Sequence, residues 1–169
     1  MIRIAVVYHS ETGNTREMAD LVVEGAQGVE GVEARAMSIE DADLEYAEKC
    51  QAVVFGAPTY EGTMSWQMKR FIDESRIALR GKLGGVFASQ NWPGGGGASF
   101  AEMSMVAGLL VRGMMVYSGG ITEGVPFLHF GAVSTRSPKQ DELYVKRCRK
   151  LGANIAQRAR ELYGERDGG

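Results

Sequence analysis

The 169-residue chain has 19 basic and 21 acidic side chains, a formal net charge of −2. It lacks both the basic stripe of a nucleic-acid binder and the negative excess usual in an acidic electron carrier. With 44% hydrophobic and 24% charged residues it is not a disordered chain, and its 23 glycines, about twice the average share, call for tight turns or close backbone–ligand approaches.

Ile2–Tyr8 is a continuous β-rich run, the pattern of a strand buried on both faces. Turn and capping residues follow, and Thr15–Gly28 reads as a helix with Met18, Val22, Gly25 and Val29 at helical spacing. Val32–Ile39 is a weaker strand and Glu40–Cys50 a short acidic helical segment. Ala52–Ala57 is a second fully buried strand, expected to stop at Pro58. Ser65–Leu79 reads as a helix with Trp66, Phe71 and Ile72 inward, and Leu83–Ala88 as a strand ending at Ser89. A glycine-rich loop opens a helix over Ser99–Arg112, with Phe100, Met103, Val106, Leu109 and Leu110 expected inward. Met114–Tyr117 is the last core strand, Gly119–Pro138 reads as irregular, and Lys139–Tyr163 as a long helix with Cys148, Leu151, Ile155, Ala159 and Leu162 on one stripe.

Cys50 and Cys148 have no metal spacing and read as buried hydrophobes of a reduced protein; no metal is expected. No stretch approaches the ~20 apolar residues of a membrane span, and the expected location is the cytoplasm. Residues 1–164 read as one domain, with 165–169 a flexible tail. The nine methionines read as core filler, with a Met-rich face between two copies of the chain as the alternative.

Strands alternating with helices of crossover length predict an α/β fold: a five-stranded parallel sheet, doubly wound in order 2-1-3-4-5, with helices on both faces. Ligands of such sheets bind beyond the carboxyl ends of the strands. The loops there, after Tyr8, Ala57 and Ser89, are also the most unusual in composition. The first, Ser10-Glu11-Thr12-Gly13-Asn14-Thr15, offers four polar side chains where a helix cap needs one, beside a helix N-terminus. This is an anion cradle without a cation, suited to a phosphate monoester. It matches neither the Walker A loop nor the dinucleotide fingerprint. The second, Pro58-Thr59-Tyr60-Glu61-Gly62, and the third, Ser89-Gln90-Asn91-Trp92 with Gly94, Gly95 and Gly96, each carry an aromatic. Tyr60 and Trp92 could each be loop packing; together, beside a phosphate cradle, they favour a ligand with a phosphate tail and a flat head. Arg112 reads as a cation at a helix C-terminus and His9 as a loop hydrogen-bonder, while His129 has no assigned place.

Ser10, Thr12, Gly13, Asn14 and Thr15 resemble the FMN-phosphate loop of flavodoxins and their relatives. The segment Gly56–Asp73, with Gly56-Ala57-Pro58-Thr59 and Met64-Ser65-Trp66-Gln67-Met68, is similar to that of WrbA-type NAD(P)H:quinone oxidoreductases, as are Ser89 with Gly94–Gly97 and Ser137–Leu143. The chain lacks the longer insertion of those enzymes between the second and third strands. The resemblance implies a flavodoxin-like fold holding FMN, with the phosphate in Ser10–Thr15 and the ring between the second and third loops. Backbone around Glu61 and Gly62 would then face flavin N5, and amides of the glycine run N1 and O2. It also makes Arg112 a candidate contact to flavin or NAD(P)H. The function it implies is NAD(P)H-dependent reduction of quinones or similar acceptors, with chemistry at FMN and no catalytic side chain. The alternative is a flavodoxin-type carrier between redox protein partners. A response regulator would need an acceptor carboxylate where Gly56-Ala57-Pro58 stands, and a low-molecular-weight tyrosine phosphatase a cysteine in the first loop.

Overall fold

The computed structural model describes residues 1–164; the segment expected to be a flexible tail, 165–169, lies outside the described residues. The elements run β1 (Ile2–Tyr8), α1 (Asn14–Gln27), β2 (Val32–Ser38), α2 (Leu44–Lys49), β3 (Ala52–Tyr60), β4 (Thr63–Met64), α3 (Trp66–Glu74), β5 (Leu83–Gln90), α4 (Ala98–Val111), β6 (Met115–Val116), β7 (Ala132–Thr135) and α5 (Glu142–Tyr163). The main sheet is parallel, in order β2-β1-β3-β5-β6, with β7 also paired to β5 and β4 forming an antiparallel hairpin on β3.

Alternation along β1 explains why its run is apolar throughout. Ile4 and Val6 face one core with α1 and α5, and Ala5 and Val7 face a second core with α3 and α4. Each fully buried Val, Ile, Leu or Phe contributes about 1.5–3 kcal/mol, so both helical layers are held by the same strands.

Several sequence expectations give way. Pro58 does not end its strand: β3 continues to Tyr60, with Pro58 in register with Ser89 of β5. Proline is tolerated because β1 has already ended at Tyr8, opposite Gly56, so the proline nitrogen faces no β1 carbonyl, while its carbonyl accepts from the Ser65 amide at 3.0 Å. The fifth sheet position is shared, since β6 pairs with Leu83 and Gly84 while β7, inside the stretch expected to be irregular, pairs with Phe87–Gln90. The helix expected over Ser65–Leu79 starts after its cap, Ser65, and stops at Glu74. Trp66, at its first position, is 63% exposed instead of inward, about half a turn away from the buried Met68 and Ile72. In α4 the phase is rotated: Ala98, Ala101, Glu102, Met105 and Leu109 are buried, while Phe100, Met103 and Leu110 face outward. In α5 the stripe of Cys148, Leu151, Ile155 and Ala159 is buried as expected, whereas Leu162 is exposed.

Candidate functional site

The loops after β1, β3 and β5 converge at the carboxyl edge of the sheet around a cavity of about 80 Å³, a volume of two to three waters and enough for a small polyatomic anion. Ser10, Glu11, Thr12, Asn14 and Thr15 line it from the first loop, Pro58, Thr59 and Tyr60 from the second, and Ser89, Gln90 and Asn91 from the third. The first and third loops are tied by a buried hydrogen bond between Thr15 Oγ1 and Ser89 Oγ, 2.9 Å long.

The first loop turns at Gly13, whose φ of +94° is a left-handed conformation that residues with a Cβ resist. Ser10 Oγ accepts from the Gly13 amide at 3.2 Å, and because the N-cap position is this glycine, α1 has no side-chain cap. Uncapped first-turn amides and the positive end of the helix dipole favour a bound anion. On the opposite wall the buried Thr59 Oγ1 has no hydrogen-bond partner. An orphaned hydroxyl costs about 1–3 kcal/mol unless a ligand or water meets it. No lysine, arginine or histidine lines the cavity. The one carboxylate there, Glu11, accepts from Gln67 Nε2 at 2.9 Å.

Beneath the rim, His9 is buried edge-on to Tyr60, with ring centroids 6.1 Å apart. Burial pulls its imidazole pKa below the ordinary range, so it stands neutral. His9 Nδ1 and Ser65 Oγ share a hydrogen bond of 2.9 Å, and Ser65 Oγ also accepts from the Met68 amide, capping α3. His9 is therefore the loop hydrogen-bonder the sequence suggested. Burial, and then the Glu11 carboxylate, raise the pKa of the Tyr60 hydroxyl. Between the paired β3 and β4, Glu61 and Gly62 form a two-residue turn with φ of +46° and +82°. That is the geometry of a tight hairpin, strained for glutamate and natural for glycine.

The third loop folds upon itself. Gln90 Oε1 accepts from the Ala98 amide at 3.1 Å, so the side chain expected to touch a ligand braces the start of α4. A Cβ at Gly96 would lie 2.2 Å from the Trp92 carbonyl oxygen, and one at Gly97 would lie 3.1 Å from Gly62 Cα. The second and third loops thus touch. Gly13, Glu61, Gly62, Trp92, Gly94, Gly95 and Gly96 lie in these loops but do not line the cavity, and Trp92 is 70% exposed.

Arg112 is a cation at a helix C-terminus, the first of its two readings. It sits at the C-terminal end of α4, at the opposite end of the sheet, and its guanidinium donates to the carbonyls of Ile72, Ser75 and Ile77 at 2.6, 3.0 and 2.7 Å. It ties α4 to the end of α3 and cannot reach a ligand in the cavity. His129 is exposed, and its carbonyl accepts from Ser118 Oγ at 2.8 Å. The sequence reading missed Gln67, which orients Glu11, and Ser65, which stands just ahead of a helix in the usual place of an N-cap. Among the described residues no cluster of three His, Cys, Asp or Glu is arranged to hold a metal, and no helix is long and apolar enough to cross a membrane.

Comparison with known proteins adds an independent finding. The family described as Flavodoxin matches residues 6–158. A flavodoxin of Clostridium saccharobutylicum is 34% identical over 163 residues, covering 96% of this chain and 100% of the relative. An NAD(P)H dehydrogenase (quinone) of Archaeoglobus fulgidus is 33% identical over 195 aligned residues, covering 96% and 100%. Among solved structures, a flavodoxin from the domain Archaea superposes with a TM-score of 0.76 at 25% identity, covering 94% of this chain and 99% of that one.

Proposed function

The chain belongs to the flavodoxin family, and on that premise we propose that it binds FMN and carries electrons between redox protein partners. The composition of the cavity carries the FMN part of this reading, since its hydroxyl and amide donors and uncapped helix start suit one phosphate, and the 34% identity to a flavodoxin over its whole length favours the carrier role. The amides of α1, the hydroxyls of Thr12, Thr15 and Thr59 and the amide of Asn14 would hold the phosphate. Tyr60 and Trp92 are the aromatics available to flank the ring, and the backbone of Glu61 and Gly62 stands at its rim. Bound FMN would supply the redox chemistry; the protein positions it and shields one edge. Exposed Trp92 would face an incoming partner.

A second reading, reduction of quinones by NAD(P)H, is favoured by the 33% identity to the Archaeoglobus fulgidus quinone dehydrogenase. Anaerobic mixing separates the two. With NADH or NADPH in excess, the absorbance of the FMN-loaded protein is expected to stay that of oxidised flavin for minutes, while dithionite bleaches it at once. Prompt bleaching by either nucleotide would replace the carrier reading with the reductase one.

The phosphate assignment has its own test. A Thr12→Val/Asn14→Ala variant removes two hydrogen bonds to a charged group, each contributing about 1.5–3 kcal/mol. Its FMN affinity is expected to fall by about 100-fold or more in fluorescence titration, while riboflavin, which has no phosphate, binds as before. Full FMN affinity in the variant would remove the phosphate from this loop.

A further inference from the structure

We propose that the outer face of α4 is a self-complementary surface that joins two copies of this chain, the helices running antiparallel across a two-fold axis level with Met105. This goes beyond the electron-carrier reading, because no residue of the face lines the cavity.

The outward residues of α4 are Phe100, Met103, Ala107, Leu110 and Val111, at the spacing of one helical stripe. Phe100 is 72% exposed, Met103 42%, Leu110 56% and Val111 88%. Taking each fully exposed large apolar side chain as about 150–200 Å², these four present roughly 450 Å². An isolated patch of that size on a monomer is usually a binding surface. A stable interface buries about 800 Å² per partner, so the helix alone supplies more than half.

Two further observations select the occupant. The only ionisable residue of α4, Glu102, is buried, so the outer face offers no charge for an acidic or basic partner to meet. The stripe is also symmetric about position 105. In an antiparallel pair, Phe100 meets Leu110 of the other copy, and the large Met103 meets the small Ala107. A surface that pairs large with small when rotated onto itself fits an isologous two-fold contact.

The full chain at micromolar concentration is expected to sediment as a species of twice its 18.3 kDa mass. Met103→Glu and Ala107→Lys are each expected to raise the dimer dissociation constant about 100-fold or more. Both positions are exposed, so unchanged far-UV circular dichroism is expected of each variant. Mixing the two variants is expected to restore the dimer, because Glu at position 103 of one copy then faces Lys at position 107 of the other. A monomeric wild type, a dimer indifferent to both substitutions, or two monomeric variants that stay monomeric on mixing would each overturn the proposal.

Discussion

Replacing Gly152 with alanine is expected to destabilise the protein by about 3 kcal/mol or more, a fall in melting temperature of roughly 6–12 °C for a chain of this size. Gly152 of α5 and Gly25 of α1 let the two helices pack backbone to backbone. A Cβ at Gly152 would lie 1.9 Å from the Val22 carbonyl oxygen and 2.8 Å from the Ala26 nitrogen; one at Gly25 would lie 1.9 Å from the Arg149 carbonyl oxygen. The obstacle is main chain inside a helix, with no rotamer to relieve it, so the helices must separate. Against this, alanine gains only about 0.5–1 kcal/mol over glycine in helix propensity, and the clash wins. Separation also pulls α1, whose first turn forms part of the cavity wall, away from Ser89. FMN affinity is therefore expected to drop along with the urea midpoint. Gly95→Ala is the control: its Cβ would meet nothing within 4 Å, so its stability should stay within about 0.5 kcal/mol of wild type. A Gly152→Ala protein as stable as that control would mean that α1 and α5 do not cross so closely.

The sequence shows these loops clearly because apolar runs break abruptly there into polar residues and glycine. β1 passes from Tyr8 into His9-Ser10-Glu11, and β5 passes into a run of glycines. The period-two burial that makes β1 and β3 apolar throughout also makes them easy to find. Where two signals conflict or one is missing, the reading slips. α4 is apolar on all sides, so nothing in its sequence marks the face turned to solvent, and Phe100, Met103 and Leu110 were placed inside. β7 is only four residues long and is held by pairing with β5, a contact with residues some forty-five positions away that local pattern does not contain. Pro58 breaks a strand by local rule, yet survives where the neighbouring strand has ended. Arg112 illustrates the same limit away from the site. A cation at a helix end is legible, but the three carbonyls it bridges, 35 to 40 residues distant, are brought there by the fold alone. The unpartnered Thr59 Oγ1 likewise emerges only once the three loops are assembled.

Glu102→Met is expected to stabilise the protein by about 3–5 kcal/mol more above pH 8 than near pH 4.5. Glu102 is 2% exposed within the second core, and its Oε1 has no partner. Burial alone pushes its carboxyl up to about 8 from the ordinary 4.5. Between those values the folded chain retains a proton that the unfolded chain has released, so stability falls as pH rises, by about 1.4 kcal/mol per pH unit. The loss begins near pH 4.5, is complete a little above 8, and then levels off because the group is charged in both states. His9 contributes the opposite slope, since burial lowers its pKa below the ordinary 6.5; that contribution ends near 6.5 and leaves the upper window to Glu102. The buried thiols, at about 11 for Cys50 and about 12 for Cys148, titrate beyond it. Methionine has nearly the volume of glutamate and no charge, so it keeps the packing without the desolvation cost. Glu102→Gln separates the two causes: it too loses the slope, but its unpartnered amide retains about 1–3 kcal/mol of cost at every pH. Urea unfolding at pH 5, 7 and 9 therefore gives a gap between wild type and Glu102→Met that widens with pH, with Glu102→Gln parallel to the methionine variant and below it. A gap constant across that range would mean that Glu102 is charged throughout and reaches water.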